Sequence, residues 1–260
     1  MRLDEEYCLS EYVDLGRLGD NEKVHIVRNQ VNGVIGVRKY VALDLEEIYL
    51  FLKENPNAYI PKIYECIQTD TNLIVIEEYL SGKNLEEMLK EKYFSEKDAA
   101  DIIICLCNAL YPLHHAKMPV ICRDLKAENV ILTNEGEVKL VDFDIARIYQ
   151  PGKSKDTVMM GTQGYAAPEQ FGFGQTDART DIYAMGVLLN YMLVREFPME
   201  KLTEGKFRTI VLKCIKINPE DRYQNVDELK ADICNAAEIP CSSMAVSYTH
   251  LRAHETLRHL

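Results

Sequence analysis

The 260-residue sequence predicts an α+β protein of two lobes, a small β-rich one followed by a larger helical one. Apolar runs of strand length crowd the first third, and three- and four-residue apolar spacings dominate the remainder. A 47% hydrophobic composition over this length supplies core enough for one large domain or for two lobes around a cleft.

The opening "MRLDEEYCLSEY" is acidic and carries no apolar signal segment. Next, "KVHIVRN" and "VIGVRKYV" flank Asn32-Gly33, the strongest short-range hairpin signal. "LDLEEIYLFLKENP" reads as a helix opened by a capping pair of Asp44 and Glu47 and stopped by Pro56, and "NLIVIEEYL" reads as a further strand. The first third is therefore a small sheet with one helix.

Helical spacing starts at Asn84, which caps "LEEMLKEK". Ser95 with Asp98 opens a long helix whose Ala99, Ile102, Leu106, Leu110 and Leu113 share a face. His114 and His115 at its end read as cations favoured by the helix dipole rather than as a metal pair. "NVILT" and "EVKLVDF", joined by "NEGE", form a second hairpin. A loop rich in Gly, Ser, Lys and Thr covers 150–164, and the chain is then helical through "VDELKADICNAAE". Within that stretch "IYAMGVLLNYMLV" is about thirteen residues long, too short to span a bilayer and suited to a helix buried on all sides.

The folded domain is assigned to 10–240, its small lobe to about 10–79 and its large lobe to about 80–240. The tail "AVSYTHLRAHETLRHL" (245–260) turns abruptly to His and Arg without an apolar stripe. It is similar to translated sequencing adapter and is set aside, the natural protein being expected to continue differently. A net charge of -11 provides no basic stripe for a nucleic-acid backbone, so no nucleic-acid partner is expected. Any phosphate must be held by a few local cations, backbone N–H groups or a metal. Eight scattered cysteines with no C-x-x-C pair indicate reduced thiols and a cytoplasmic location.

Chemistry concentrates in "ICRDLKAENVIL". Asn129 enters the first strand of the second hairpin and Asp142 follows the second strand, so antiparallel pairing brings both oxygen ligands to one edge, a set suited to Mg²⁺. Asp124 can accept a hydroxyl proton there, and Lys126 can neutralise a transferring phosphoryl group.

"CRDLKAEN", "DFD" eighteen positions after Asp124, and "GTQGYAAPE" together resemble the catalytic set of the eukaryotic-type protein kinases. The resemblance covers about residues 10–240 and implies Asp124 as catalytic base, Lys126 on the γ-phosphate in the Ser/Thr pattern, and Asn129 and Asp142 as Mg²⁺ ligands. It implies Thr162 as the brace of Asp124 and Lys126. Glu169 should pair with Arg222, and Asp181 should tie down the catalytic loop; all three are scaffold rather than chemistry. Lys39 resembles the lysine on the α- and β-phosphates of ATP. Val24, Val37 and Ile131 would enclose the adenine, although ordinary core packing predicts the same burial, and Glu78 and Leu80 would offer hinge backbone groups.

Several positions depart from the pattern. Of the phosphate-cradling glycines only Gly19 is present in "RLGDNEKV", and Glu22 stands where another is expected. Glu47 lies eight positions after Lys39, a short interval for the lysine's usual helix partner, with Glu46 as the substitute. Cys122 replaces His, Asp144 replaces Gly, and Glu77 occupies the gatekeeper position, usually apolar or Thr. Arg123 before the catalytic Asp implies a phosphate-receiving loop, with Thr157 and Ser154 as acceptors beside Lys153 and Lys155. Only forty-one positions separate Asp181 from Arg222, so a substrate-docking helix is expected to be reduced.

The expected function is a bacterial-type, Mg²⁺- and ATP-dependent Ser/Thr protein kinase acting on proteins with Ser/Thr acceptors, itself among them, and with no membrane segment in this chain. A pseudokinase used as a nucleotide-sensing or interaction module, and a small-molecule phosphotransferase of related fold, stand as alternatives.

Overall fold

Turn chemistry and strand faces account for most of the first unit. The structure, a computed structural model, describes residues 3–19, 22–150, 161–172 and 174–240. The chain divides into two compact units, residues 1–81 and 82–260.

In the first unit a short helix, α1 (Leu3–Ser10), precedes five antiparallel strands, β1 (Tyr12–Arg17), β2 (Val24–Asn29), β3 (Ile35–Val41), β4 (Ile63–Gln68) and β5 (Leu73–Glu78), in the order β1-β2-β3-β5-β4. The Asn32-Gly33 hairpin forms as expected: Gly33 takes φ 76°, and Asn32 Oδ1 accepts from the Val34 N–H at 2.9 Å. Its register pairs Val24 with Lys39 and Ile26 with Val37, while β5 pairs Val75 with Lys39 and Glu77 with Val37.

β1 and β4 were not expected, and each contains an irregularity, between Asp14 and Gly16 and between Ile63 and Glu65, that interrupts the two-residue alternation. The helix α2 (Glu46–Glu54) also starts differently. A 3-10 turn, Leu43–Leu45, precedes it, so Asp44 lies inside helical backbone and makes no side-chain cap with Glu47. Ile48, Tyr49 and Leu52 form its buried face. At its end the backbone N–H and Nδ2 of Asn55 both donate to the Phe51 carbonyl, just ahead of Pro56.

The second unit opens with β6 (Gly82–Asn84), which joins β8 (Val130–Thr133) and β9 (Val138–Leu140) in a three-stranded sheet. Both expected caps form, each as a capping box: Asn84 accepts from the Glu87 N–H at 2.8 Å to start α3 (Leu85–Glu91), and Ser95 accepts from the Asp98 N–H at 3.1 Å to start α4 (Glu96–His114). The stripe Ile102, Leu106, Leu110 and Leu113 is fully buried, about 2 kcal/mol of transfer free energy per side chain. α4 packs against α5 (Ala178–Val194) and α7 (Val226–Ala237), and α6 (Arg208–Cys214) packs against α5. Two short strands, β7 (Val120–Ile121) and β10 (Arg147–Ile148), pair on either side of the second hairpin in sequence.

The helix predicted from "IYAMGVLLNYMLV" is α5, buried along most of its length. No helix among the described residues is long and apolar enough to cross a membrane. The seven described cysteines are free thiols, five of them buried.

Candidate active site

In the segment between β7 and β8, which ends in a 3-10 turn at Ala127–Asn129, burial alternates: Leu125 and Ala127 are fully buried, while Asp124 and Lys126 are only partly so. Arg123 sits at φ 70°, where a non-glycine residue is uncommon and must be held by its surroundings. Two groups hold it here. The Asp181 carboxylate, fully buried at the start of α5, accepts from the Cys122 N–H at 2.9 Å and the Arg123 N–H at 2.8 Å. Gln170 Nε2 donates to the Arg123 carbonyl at 2.9 Å.

Anchored in this way, the loop brings four side chains together. Asp124 Oδ1 accepts from Thr162 Oγ1 at 2.7 Å, and its Oδ2 accepts from Asn129 Nδ2 at 3.0 Å and lies 2.8 Å from Lys126 Nζ. Lys126 Nζ also donates to Thr162 Oγ1 at 3.1 Å. Three donors therefore fix the carboxylate, and a hydroxyl links it to the neighbouring ammonium. Asn129 is buried and donates from the same Nδ2 to the Asp124 carbonyl at 2.9 Å. Both partners being acceptors, the amide nitrogen must face them, which turns Oδ1 the other way as an oxygen donor for a cation.

β8 and β9 pair Val130 with Leu140, and the Val141 N–H donates to the Asn129 carbonyl at 2.9 Å, so Asn129 and Asp142 lie at the same end of that hairpin. Asp142 takes φ 68°, a left-handed conformation that its Oδ1 supports by accepting from the Asp144 N–H at 3.0 Å. An amide oxygen and a carboxylate at one hairpin end form a hard-oxygen pair that fits Mg²⁺.

Around this centre the expected scaffold contacts are present. Glu169 accepts from Arg222 Nη1 at 2.7 Å and Nη2 at 2.9 Å, a buried bidentate pair, and Thr180 Oγ1 adds a third donor at 2.8 Å. His114 corrects the sequence reading: its side chain is buried, with Nε2 2.8 Å from Asp181 Oδ2, because it leaves the last turn of α4 on the side packed against α5, while Tyr111 and Pro112 of the same turn stay exposed. His115 donates from Nδ1 to the Tyr111 carbonyl at the end of α4. Cys122 is fully buried, and burial raises its thiol pKa well above the ordinary value.

In the first unit Lys39 is buried and lies 3.0 Å from Glu77 Oε2. Glu47, the expected partner, sits on an exposed position of α2. Val24 and Val37 share the sheet face of Lys39, Val37 buried and Val24 half-buried. The Glu78 N–H is committed to the Lys62 carbonyl at 2.8 Å, and Leu80 is half-buried. Gly19 is exposed in the turn after β1, where Arg17 and Glu22 pair at 3.2 Å. Ile131 is half-buried on β8. Thr157 and Ser154 lie outside the described residues.

The protein kinase domain model matches residues 30–250. The chain belongs to this family. Its bacterial relatives are named serine/threonine kinases. The probable serine/threonine-protein kinase PknB of Corynebacterium glutamicum is 31% identical over 70% of this chain and 32% of its own length. Serine/threonine-protein kinase PknB of Mycobacterium tuberculosis is 28% identical over 89% of this chain and 43% of its own. A receptor-like cytoplasmic serine/threonine-protein kinase of Gossypium barbadense is 32% identical over 58% of this chain and 34% of its own. The chain thus spans about a third to two fifths of the length of these relatives.

Sequence reasoning missed Glu77 as the partner of Lys39, His114 as a ligand of Asp181, and the brace by Gln170. Glu77 left a signal, a carboxylate directly after the apolar run "LIVI" of the same strand; Gln170 left none beyond adjacency to Glu169.

Proposed function

We propose that the chain is a Ser/Thr protein kinase that transfers the γ-phosphoryl group of ATP to protein hydroxyls. The observation that carries the reading is the closure of Asp124, Lys126, Thr162 and Asn129 into one hydrogen-bonded set, with Asp142 at the end of the adjoining hairpin. In this reading Asp124 orients the acceptor hydroxyl and takes its proton, and Lys126 offsets charge on the phosphoryl group as it moves. Thr162 keeps the two at a fixed separation. Asn129 and Asp142 are the groups that would hold Mg²⁺, and Lys39 is the cation for the α- and β-phosphates. When bound, Mg²⁺ supplies neutralising charge at the phosphate oxygens. The partly replaced glycine loop has fewer positions at which backbone N–H groups can approach phosphate closely, so weak nucleotide affinity is part of the proposal.

Incubation with labelled ATP and Mg²⁺, using the chain itself and a generic basic protein as acceptors, tests the reading. Wild-type protein should label Ser or Thr. Asp124→Ala should lower the rate by about 10² to 10⁴, roughly 3 to 5 kcal/mol of barrier. Equal rates in the two proteins would remove Asp124 from the chemistry.

A further inference from the structure

We infer that Glu77, on β5, is the positioning residue for Lys39, in the place expected of Glu47 on the helix α2; this rests on the kinase reading for the lysine's role. In the β3/β5 register Val75 faces Lys39 and Glu77 faces Val37. Lys39 and Glu77 are therefore diagonal neighbours on one sheet face, about 7–8 Å apart at the backbone and within reach of long side chains. They meet at 3.0 Å, with side chains 9% and 12% exposed. The ring of Tyr49, fully buried on α2, lies 5.3 Å from the same ammonium. What α2 turns toward Lys39 is thus an aromatic face, while its Glu47 is exposed.

Each charge of a buried pair depends on the other. An ammonium this enclosed needs a carboxylate nearby to remain charged, and a carboxylate buried on a strand after Ile74, Val75 and Ile76 needs a cation. A partner on the adjoining strand is held by the β3/β5 ladder itself. Its position relative to Lys39 changes only if that ladder breaks, whereas a helix-borne carboxylate can move with its helix. Phosphate binding by Lys39 is accordingly preset by the sheet, and Glu77 acts through Lys39 rather than on the nucleotide.

The test uses the full chain as wild type, Glu77→Met, Glu47→Ala, Lys39→Met and the Glu77→Met/Lys39→Met double variant. Glu77→Gln, closer in shape, takes the place of Glu77→Met if thermal melts show that the latter is unfolded. The first readout is acylation of Lys39 by an amine-reactive ester without nucleotide, followed by peptide mass spectrometry. Loss of the counter-charge raises the neutral fraction, so Glu77→Met should label about ten-fold faster or more. The second readout is kcat/KM for Mg-ATP. Glu77→Met should lower it about ten-fold or more and should add no further loss on the Lys39→Met background, as expected of a residue that acts through Lys39. An unchanged labelling rate, a loss that multiplies with that of Lys39→Met, or both changes following Glu47→Ala instead would each overturn the inference. A wild-type chain inert to Mg-ATP would defeat the kinase reading, and the labelling rates would still decide whether Glu77 holds Lys39.

Discussion

Asp181 concentrates more dependence than any reacting group around it. Fully buried, it accepts two backbone N–H groups and lies 2.8 Å from His114 Nε2, and these bonds hold the backbone on which Asp124 is mounted. An asparagine fits the space but offers one acceptor oxygen, and its amide nitrogen must face a donor. We expect Asp181→Asn to cost about 2–4 kcal/mol of stability, read from urea unfolding. Activity should fall further than the unfolded fraction explains, because Arg123 loses its support at φ 70°. A variant as stable and as active as wild type would show that the loop is held by other contacts. Arg222 and Glu169 follow the same logic without touching the chemistry, their role being to join the segment after 161 to the helices.

Among the elements, α5 carries the tightest constraint. A Cβ at Gly186 would come within 2.2 Å of the Cys214 Cβ on α6, so the two helices approach at a distance that only glycine permits. Gly186→Ala removes the penalty of a mid-helix glycine, about 1 kcal/mol, yet it forces the crossing apart. The balance should be a net loss of about 1–3 kcal/mol, seen as a lower denaturation midpoint with an unchanged m-value. A stabilised variant would mean that α6 shifts at little cost. The short span between Asp181 and Arg222 is relevant here. Between Val194 and Arg208 the chain holds only a 3-10 turn, Gly205–Phe207, in keeping with the expected reduction of a docking helix.

At the scale of the whole molecule, thiols and phenols withdrawn from water should lower stability at alkaline pH. Burial pushes the Cys66 thiol from its ordinary 9.0 up to about 11, and it raises the Cys107, Cys122 and Cys214 thiols and the Tyr165 and Tyr223 phenols as well. A raised folded-state value means that the folded chain keeps protons which the unfolded chain releases. The associated stability is complete below about pH 9 and declines as pH rises toward 11. Denaturation midpoints should therefore fall between pH 8.5 and pH 10.5, and Cys66→Ala should flatten the slope. A midpoint constant over that range would contradict this account of the thiols and phenols.

The elements legible in sequence were those whose signals are local. The Asn32-Gly33 turn, the caps at Asn84 and Ser95, the stripe of α4 and the apolar α5 depend on residues within a few positions of one another. β1 and β4 were not legible, because each contains an irregularity that breaks the alternation. The motif residues from Asp124 to Asp142 were also readable, since one loop and one hairpin suffice to bring them together. Partnerships between distant segments were decided by tertiary structure alone. Glu77, rather than Glu47, reaches Lys39 because strand register, not sequence interval, places side chains on a common face. His114 faces Asp181, 67 positions away, because α4 packs on α5 with the side that carries His114, and no local pattern encodes which side of a helix end its neighbour will cover.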